Sequence, residues 1–131
     1  MDGNPRLLVW NFAPDEKERL DRMLEMVKAP PAHTIAPERG HLVVRDILHT
    51  DKTADEPFRC DEKIVLFYNI PQKGIFFLIQ KFKDAGLPKP IFAVVTEHSI
   101  HWPFSKLAEH LMEERDAMRR AQEERSEGDE T

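Results

Sequence analysis

The sequence predicts a small three-layer α/β domain whose four-stranded, mainly parallel sheet comes from two strand-helix-strand-helix repeats. Two observations predict this class. The strongest strand candidates, LLVW, IVLFY and IFAVV, are continuous apolar runs, which are typical of strands covered by helices on both faces. Each run is followed by a proline and then by apolar residues at helical spacing. The alternative is a ferredoxin-like α+β sheet, which would leave one face open.

In the first half, a strand begins at Leu7 and a helix follows Pro14, because proline and acidic side chains favour the first helical turn. The apolar stripe of this helix contains Leu20, Met23, Leu24 and Val27. Residues 32–36 form a weak second strand. Residues 42–48 are predicted as a short helix, although a strand of an antiparallel sheet would explain them equally well. Residues 51–62 form the connecting loop.

In the second half, a strand over residues 64–70 precedes a helix with apolar residues at Ile75, Leu78, Ile79 and Phe82. Gly86 ends this helix in the left-handed conformation. A strand over residues 91–95 follows. The last helix is predicted to begin at Pro103 and to end between Met118 and Arg125. We expect one domain over residues 1–125. Residues 126–131 have nothing apolar to bury and are predicted to be disordered.

An internal repeat relates residues 6–50 to residues 63–118. A constant offset of 58 places Asn11 on Asn69 and Leu20 on Leu78. We therefore predict a duplication, although any two strand-helix units resemble each other to some degree. The last helix keeps a thin apolar stripe of Leu111, Met112 and Met118 beyond its buried part, and such a stripe suits self-association as well as a solvated helix end.

Composition and charge exclude several classes of function. The net charge is −5, and eight acidic and four basic residues lie in 113–131, so no concentrated basic surface predicts nucleic-acid binding. No apolar run approaches the roughly 20 residues that span a bilayer. One cysteine, Cys60, and a start without a secretory signal predict a cytoplasmic protein. The scattered glycines form no phosphate-binding loop, and no cofactor is expected.

Polar side chains follow the apolar runs at their carboxyl ends. In an open parallel sheet, ligands bind outside these ends where the strand order reverses. The candidate ligand-binding residues are Asn11, Glu38, Asn69, Thr96, Glu97, His98 and Trp102. The sequence predicts that they gather at one edge of the sheet, between the two central strands. The structural alternative for the two asparagines is that each caps its own turn.

No catalytic residue or metal ligand is assigned. His98 and His101 are three residues apart, whereas a catalytic zinc helix places two histidines four apart beside a glutamate. Cys60 has no recognisable base and is read as a loop thiol. A small enzyme would use Glu97 or His98 as acid or base.

The second half, from residue 63 to residue 114, resembles a family of short bacterial proteins that is classed as a domain of unknown function. The similarity rests on the frame VT-E-H-S-x-x-W-P-x-x-x-L-x-x-x-L-x-x-E, which contains Thr96, Trp102 and Glu114. Ser99 stands where the family usually has asparagine. The resemblance implies no activity, but it implies that the segment around Thr96 and Trp102 is the family's distinctive feature.

These observations predict a non-catalytic ligand-binding or protein-binding module that self-associates. The alternatives are a small enzyme with the polar site at the carboxyl edge, with Asn11 and Asn69 as orienting groups, and a metal-binding protein that uses His98 and His101.

Overall fold

The computed structural model describes residues 3–129 of the chain, and the side chains of residues 3–125. The elements follow in the order β1 (Arg6–Trp10), α1 (Pro14–Met26), β2 (Ala32–Thr34), α2 (Val44–His49), β3 (Ile64–Tyr68), α3 (Gln72–Asp84), β4 (Ile91–Val94) and α4 (Phe104–Asp129). Short 3₁₀ turns at Pro37–Arg39 and Ser99–His101 precede α2 and α4. Each half therefore has the predicted order of strand, helix, strand and helix.

The helices that follow the two central strands begin and end where local chemistry requires. α1 begins at Pro14, and the Glu16 carboxylate accepts a hydrogen bond of 2.8 Å from the Ala13 N–H. α3 ends at Asp84 because Gly86, at φ 67°, turns the chain in the left-handed conformation. The buried residues recur at helical spacing, with Leu20, Met23 and Leu24 in α1 and Ile75, Leu78 and Phe82 in α3. Each helix thus presents one apolar face.

The sheet has the strand order β2-β1-β3-β4. β2 is parallel to β1 and β4 is parallel to β3, whereas the central strands β1 and β3 are antiparallel, with Leu8 opposite Leu66. The sheet is therefore mainly parallel, as predicted, and β1 and β3 are the predicted central neighbours. The expectation that all carboxyl ends lie at one edge is wrong, because β3 and β4 run opposite to β1 and β2.

Helices cover both faces of the sheet. Alternate residues of β1 point to opposite sides, so Leu7 and Val9 belong to one buried cluster while Leu8 and Trp10 belong to the other. The first cluster includes the apolar faces of α1 and α3, and the second includes those of α2 and α4. This arrangement confirms the three-layer α/β class. The ferredoxin-like alternative, with one open face, is not the fold.

The order and directions of the strands are the same when they are followed from either edge, as a two-fold axis through the sheet requires. The segments that precede α2 and α4 face each other near this axis. The Val44 N–H donates to the Trp102 carbonyl at 3.0 Å, and the Phe104 N–H donates to the Leu42 carbonyl at 2.9 Å. These two bonds fix the start of α2 against the start of α4.

Two segments differ from the simplest sequence interpretation. Residues 42–48, which were compatible with a strand, contribute the helix α2. α4 continues to Asp129, into the segment 126–131 for which disorder was predicted. The side chains of 126–129 and all of residues 130 and 131 lie outside the described residues, so the tail remains a prediction. Within the described part of the chain, every helix is too short or too polar to cross a membrane.

Candidate functional site

An open groove of about 540 Å³ lies where β3 and β4 end. Its walls come from the carboxyl end of β3, from the turn that follows β4 and from the exposed side of α2. The lining residues are Arg45, His49, Tyr68, Glu97, His98, Ile100 and His101. We call this feature the α2 groove.

One side of α2 forms the basic wall of the groove. Val44, Ile47 and Leu48 are buried against the sheet, which leaves Arg45 and His49 exposed. The two exposed residues are four apart and therefore lie one above the other on the same side of the helix. The His49 ring meets the buried Tyr68 ring edge-on, with 6.2 Å between ring centroids. This contact fixes the position of the imidazole at the base of the groove.

The turn after β4 is held by a reciprocal pair of hydrogen bonds between Thr96 and Ser99. The Thr96 N–H donates to the Ser99 hydroxyl at 2.8 Å, and the Ser99 N–H donates to the Thr96 hydroxyl at 3.0 Å. Such paired side-chain and backbone bonds fix the first turn of a helix, here a 3₁₀ turn. Thr96 therefore has a structural role, and the turn holds the intervening Glu97 and His98 in the groove.

Four of the polar side chains that line the α2 groove have no partner among the described residues. Within residues 3–125, the side chains of Arg45, Glu97, His98 and His101 make no hydrogen bond or ion pair. Lys63, just before β3, is engaged in contrast, since it donates to the Glu16 carboxylate at 2.7 Å and to the Asn11 carbonyl at 2.8 Å.

This arrangement suits an anion. A guanidinium group binds carboxylate or phosphate oxygens through two parallel N–H donors, and imidazole rings add further donors. Arg45, His49, His98 and His101 supply these groups around one space, while Glu97 is the one carboxylate among the lining residues. The buried Tyr68 and the half-buried Ile100 give the groove an apolar base.

The predicted site residues are divided between the two ends of the sheet. Glu97 and His98 line the α2 groove, and Thr96 supports it. Asn11 and Glu38 follow β1 and β2 and lie at the opposite end of the strands, so the prediction that all candidates gather together is wrong. From the register of β1 and β3, Asn11 and Asn69 are roughly 20 Å apart, at about 3.3 Å of strand per residue. The antiparallel central pair causes this separation.

Both asparagines have a structural role, although neither side chain caps its own turn as the structural alternative predicted. Asn11 has φ 65° and Asn69 has φ 58°, in the left-handed region that asparagine tolerates better than most residues. The Asn11 amide donates to the Asp61 carbonyl at 2.8 Å, and the Asn69 amide donates to the Gly3 carbonyl at 2.8 Å. Each side chain thus ties the end of a central strand to the segment that leads into its neighbour.

Trp102 is outside the α2 groove. Its ring is 39% exposed and meets the His110 ring edge-on at 5.5 Å between centroids, so it covers the first turns of α4. Trp10, in contrast, is buried, and its indole N–H donates to the Cys60 carbonyl at 3.1 Å. The core position predicted for Trp10 follows from its place in a continuous apolar strand.

Sequence reasoning did not identify Arg45, His49 or Tyr68 as site residues. Arg45 and His49 lie in the segment that was compatible with either a helix or a strand. Residues four apart are close neighbours on one side of a helix but are separated by the length of four residues along a strand, so choosing the helix would have indicated the pair. Tyr68 carries the one hydroxyl group in the IVLFY run, which was a signal that this strand end differs from the rest.

Neither a metal centre nor an activated thiol is evident in the part of the chain with described side chains. No three His, Cys, Asp or Glu residues within it converge on a position that could hold a metal ion. The Cys60 thiol is half-buried beside Met112, with 3.8 Å between the sulfur atoms. Burial raises the pKa of this thiol, and the Glu62 and Asp61 charges act in the same direction. A raised pKa disfavours the nucleophilic thiolate.

Comparison with known proteins finds a similarity for the second half of the chain. A family model described as a domain of unknown function (DUF3783) matches residues 63–118. No similarity was found to a curated protein or to a solved structure. The matched segment supplies Tyr68, Glu97, His98 and His101 to the α2 groove, whereas Arg45 and His49 come from the first half. Residues 63–118 are therefore similar to the DUF3783 family, in agreement with the resemblance to a family of unknown function.

Proposed function

We propose that this protein is a non-catalytic binding module that takes a small anionic ligand in the α2 groove. The observation that carries the proposal is the convergence of Arg45 with His49, His98 and His101 around one space. Within the described residues, none of these side chains donates a hydrogen bond or forms an ion pair. An anion would supply the partner that the described residues do not.

The scaffold supports a preorganised site. α2 is packed against the sheet through Val44 and Ile47, and the turn after β4 is fixed by the bonds between Thr96 and Ser99. Both walls of the groove are therefore held before a ligand arrives, which reduces the entropic cost of binding. The volume of about 540 Å³ is in the range of small-molecule sites, which is roughly 300–1,000 Å³.

The same geometry favours binding over catalysis. An enzyme built on Glu97 or His98 needs a second group that orients the substrate or the proton. The expected orienting groups were Asn11 and Asn69. Asn11 lies at the other end of the strands, and the Asn69 amide already donates to the Gly3 carbonyl. The metal-binding alternative also lacks support among the described side chains, because no cluster of three ligands is present there.

Titration with simple anions tests the proposal. Inorganic phosphate and malonate are added to the ¹⁵N-labelled protein, and tetramethylammonium serves as a cationic control. We expect changes in the backbone amide chemical shifts of Arg45, His49 and residues 97–101. Arg45→Gln should weaken binding about tenfold or more, since a charged hydrogen-bond donor is lost. The matched variant Arg59→Gln removes an exposed arginine of the loop and should bind normally. Anions that perturb no groove residue, or equal losses in both variants, would contradict the proposal.

Two further proposals concern origin and location. We infer that residues 6–50 and 63–118 descend from a duplication in a bacterial ancestor. The equal lengths of α1 and α3, 13 residues each, and the equivalent side-chain bonds of Asn11 and Asn69 support this inference. We also propose that the protein resides in the cytoplasm, where a free thiol such as Cys60 persists in reduced form.

A further inference from the structure

The outer edge of β4 has unused backbone groups. Within the part of the chain that the structure describes, β4 pairs with β3 on one side and with no strand on the other. The Ile91 N–H donates to the Lys63 carbonyl at 2.8 Å and the Val95 N–H donates to the Phe67 carbonyl at 2.9 Å, so odd-numbered residues of this strand face β3. The N–H and C=O groups of Phe92 and Val94 therefore point away from the sheet. An edge of this kind is a template for pairing with another strand.

Apolar surface is concentrated on the half of the molecule that carries this edge. Among the described residues, the exposed large apolar side chains are Met26, Phe76, Phe77, Val94, Trp102 and Met118. All except Met26 belong to the second half. A groove of about 390 Å³ also runs between β4 and α4, and its apolar part is formed by Ile91, Phe92, Leu111 and Met118. Val94 and this groove thus place apolar surface beside the edge, and no helix or strand within the described residues is seen to cover it.

The opposite edge of the sheet lacks these properties. β2 has only three residues, Ala32–Thr34, and its exposed side chains are polar. Prolines precede both edge strands, so the difference lies in the short length and polar side chains of β2, which natural proteins use to prevent strand pairing at an edge. Only the β4 edge is therefore suited to a partner.

We propose that the β4 edge pairs with the β4 edge of a second copy of this chain, in antiparallel direction, to form a continuous eight-stranded sheet. The two-fold axis passes between the two Ala93 residues. Phe92 then lies opposite Val94 of the second copy, and the two such pairs exchange four backbone hydrogen bonds. Pro90 has no N–H and ends the ladder at both sides.

Charge complementarity identifies a second copy as the occupant. In the register centred on Ala93, Lys89 of one copy lies near Glu97 of the other, and the two-fold axis repeats this opposite-charge pair. Within the described residues neither Lys89 nor Glu97 has an ion-pair partner in its own chain. On the faces of the extended sheet, Val94 of one copy adjoins Phe92 of the other, and such cross-strand apolar pairs stabilise sheets.

The molar mass in solution tests this pairing. We expect a mass twice the 15.3 kDa of one chain in light scattering at high concentration, with dissociation on dilution. Val94→Pro removes an N–H that β3 does not use, so the monomer should fold while the dimer weakens roughly tenfold or more. Thr34→Pro makes the equivalent change at the β2 edge and should leave the dimer intact. A monomeric wild type, or a Val94→Pro variant that dimerises normally, would overturn the proposal.

A disulfide tests the register separately. In a Cys60→Ser background, Ala93→Cys places two thiols in a non-hydrogen-bonded pair, whose Cα atoms are about 4.5 Å apart and allow a disulfide. We expect a covalent dimer on mild oxidation. Val94→Cys in the same background lies opposite Phe92 of the second copy and should cross-link much more slowly. Equal cross-linking of the two variants would refute the register, and neither experiment depends on a ligand in the α2 groove.

Discussion

Replacing Gly40 by alanine is expected to destabilise the protein. A Cβ atom at Gly40 would lie 2.5 Å from the Cβ of Phe58 and 3.0 Å from its Cδ2 atom. Phe58 is 8% exposed and packs on Trp10, with 5.2 Å between ring centroids. Gly40 has an ordinary right-handed backbone conformation, so the predicted effect is steric and does not come from a positive φ.

The size of the effect follows from which atom must move. The Phe58 Cβ is next to a backbone whose N–H donates to the Pro37 carbonyl at 2.9 Å, so rotation of the side chain cannot relieve the overlap. The loop itself must shift. Overpacking a core costs about 1–3 kcal/mol, and replacing glycine by alanine recovers about 0.4–1 kcal/mol from the unfolded state. We expect the free energy of unfolding to fall by about 1–2 kcal/mol.

Gly74→Ala is the matched control. Gly74 lies in α3, and an added Cβ would meet only the Cγ2 methyl of Ile70, at 3.1 Å. This methyl belongs to a side chain that can adjust, and alanine is favoured over glycine in a helix by about 1 kcal/mol. Gly74→Ala should be neutral or stabilising. Urea unfolding measures the stability of both variants, because a change in the midpoint at a constant m value reports a change in the free energy of unfolding. If Gly40→Ala unfolds at the wild-type midpoint, the loop is not packed as described.

Three further predictions follow from individual contacts. A hydrogen bond from Lys63 lowers the pKa of Glu16 below its ordinary value of 4.5, and a bond from the Ala13 N–H adds to this. Ionised Glu16 therefore stabilises the folded protein above pH 4.5, and this contribution is lost as the pH falls through the lower pKa of the folded state. Urea unfolding should show that the difference in free energy of unfolding between wild type and Glu16→Gln becomes smaller below pH 4.5. Burial raises the pKa of Cys60, so iodoacetamide should label it more slowly at pH 8 than in denaturant. Asn11→Ala should cost about 1–2 kcal/mol in thermal or urea unfolding, and Asn11→Gly should cost less, because only alanine is strained at positive φ.

The sequence predicted two residues that line the candidate site, Glu97 and His98, because local pattern was sufficient there. Glu97 and His98 follow a clear strand and precede a clear helix, so their position at a strand end could be inferred. Arg45 and His49 were missed because α2 has only six residues, too few for periodicity to distinguish a helix from a strand. Their approach to the turn after β4 depends on contacts between the two halves, which no local pattern encodes.

The apolar pattern by itself determined the layers of the fold. Continuous runs such as LLVW and IVLFY must be buried on both faces, and the stripes of α1 and α3 supply the cover on one of them. The same pattern carries no information about direction, because a fully buried strand reads alike whether its neighbour is parallel or antiparallel. The sequence therefore determined which residues are buried, and left the relative direction of the two halves open.

Tertiary contacts of the loop over residues 51–62 decided that direction. The Ala54 N–H donates to the Glu38 carbonyl at 2.8 Å, and Phe58 packs on Trp10. These contacts hold the loop at the carboxyl end of β1, so β3 must begin there, with Ile64 opposite Trp10, and run back antiparallel. Because of this reversal, Asn69 lies at the opposite end of the strands from Asn11, and Tyr68 lies beside α2. The position of the α2 groove thus depends on the contacts that place the start of the second half of the chain beside the end of β1.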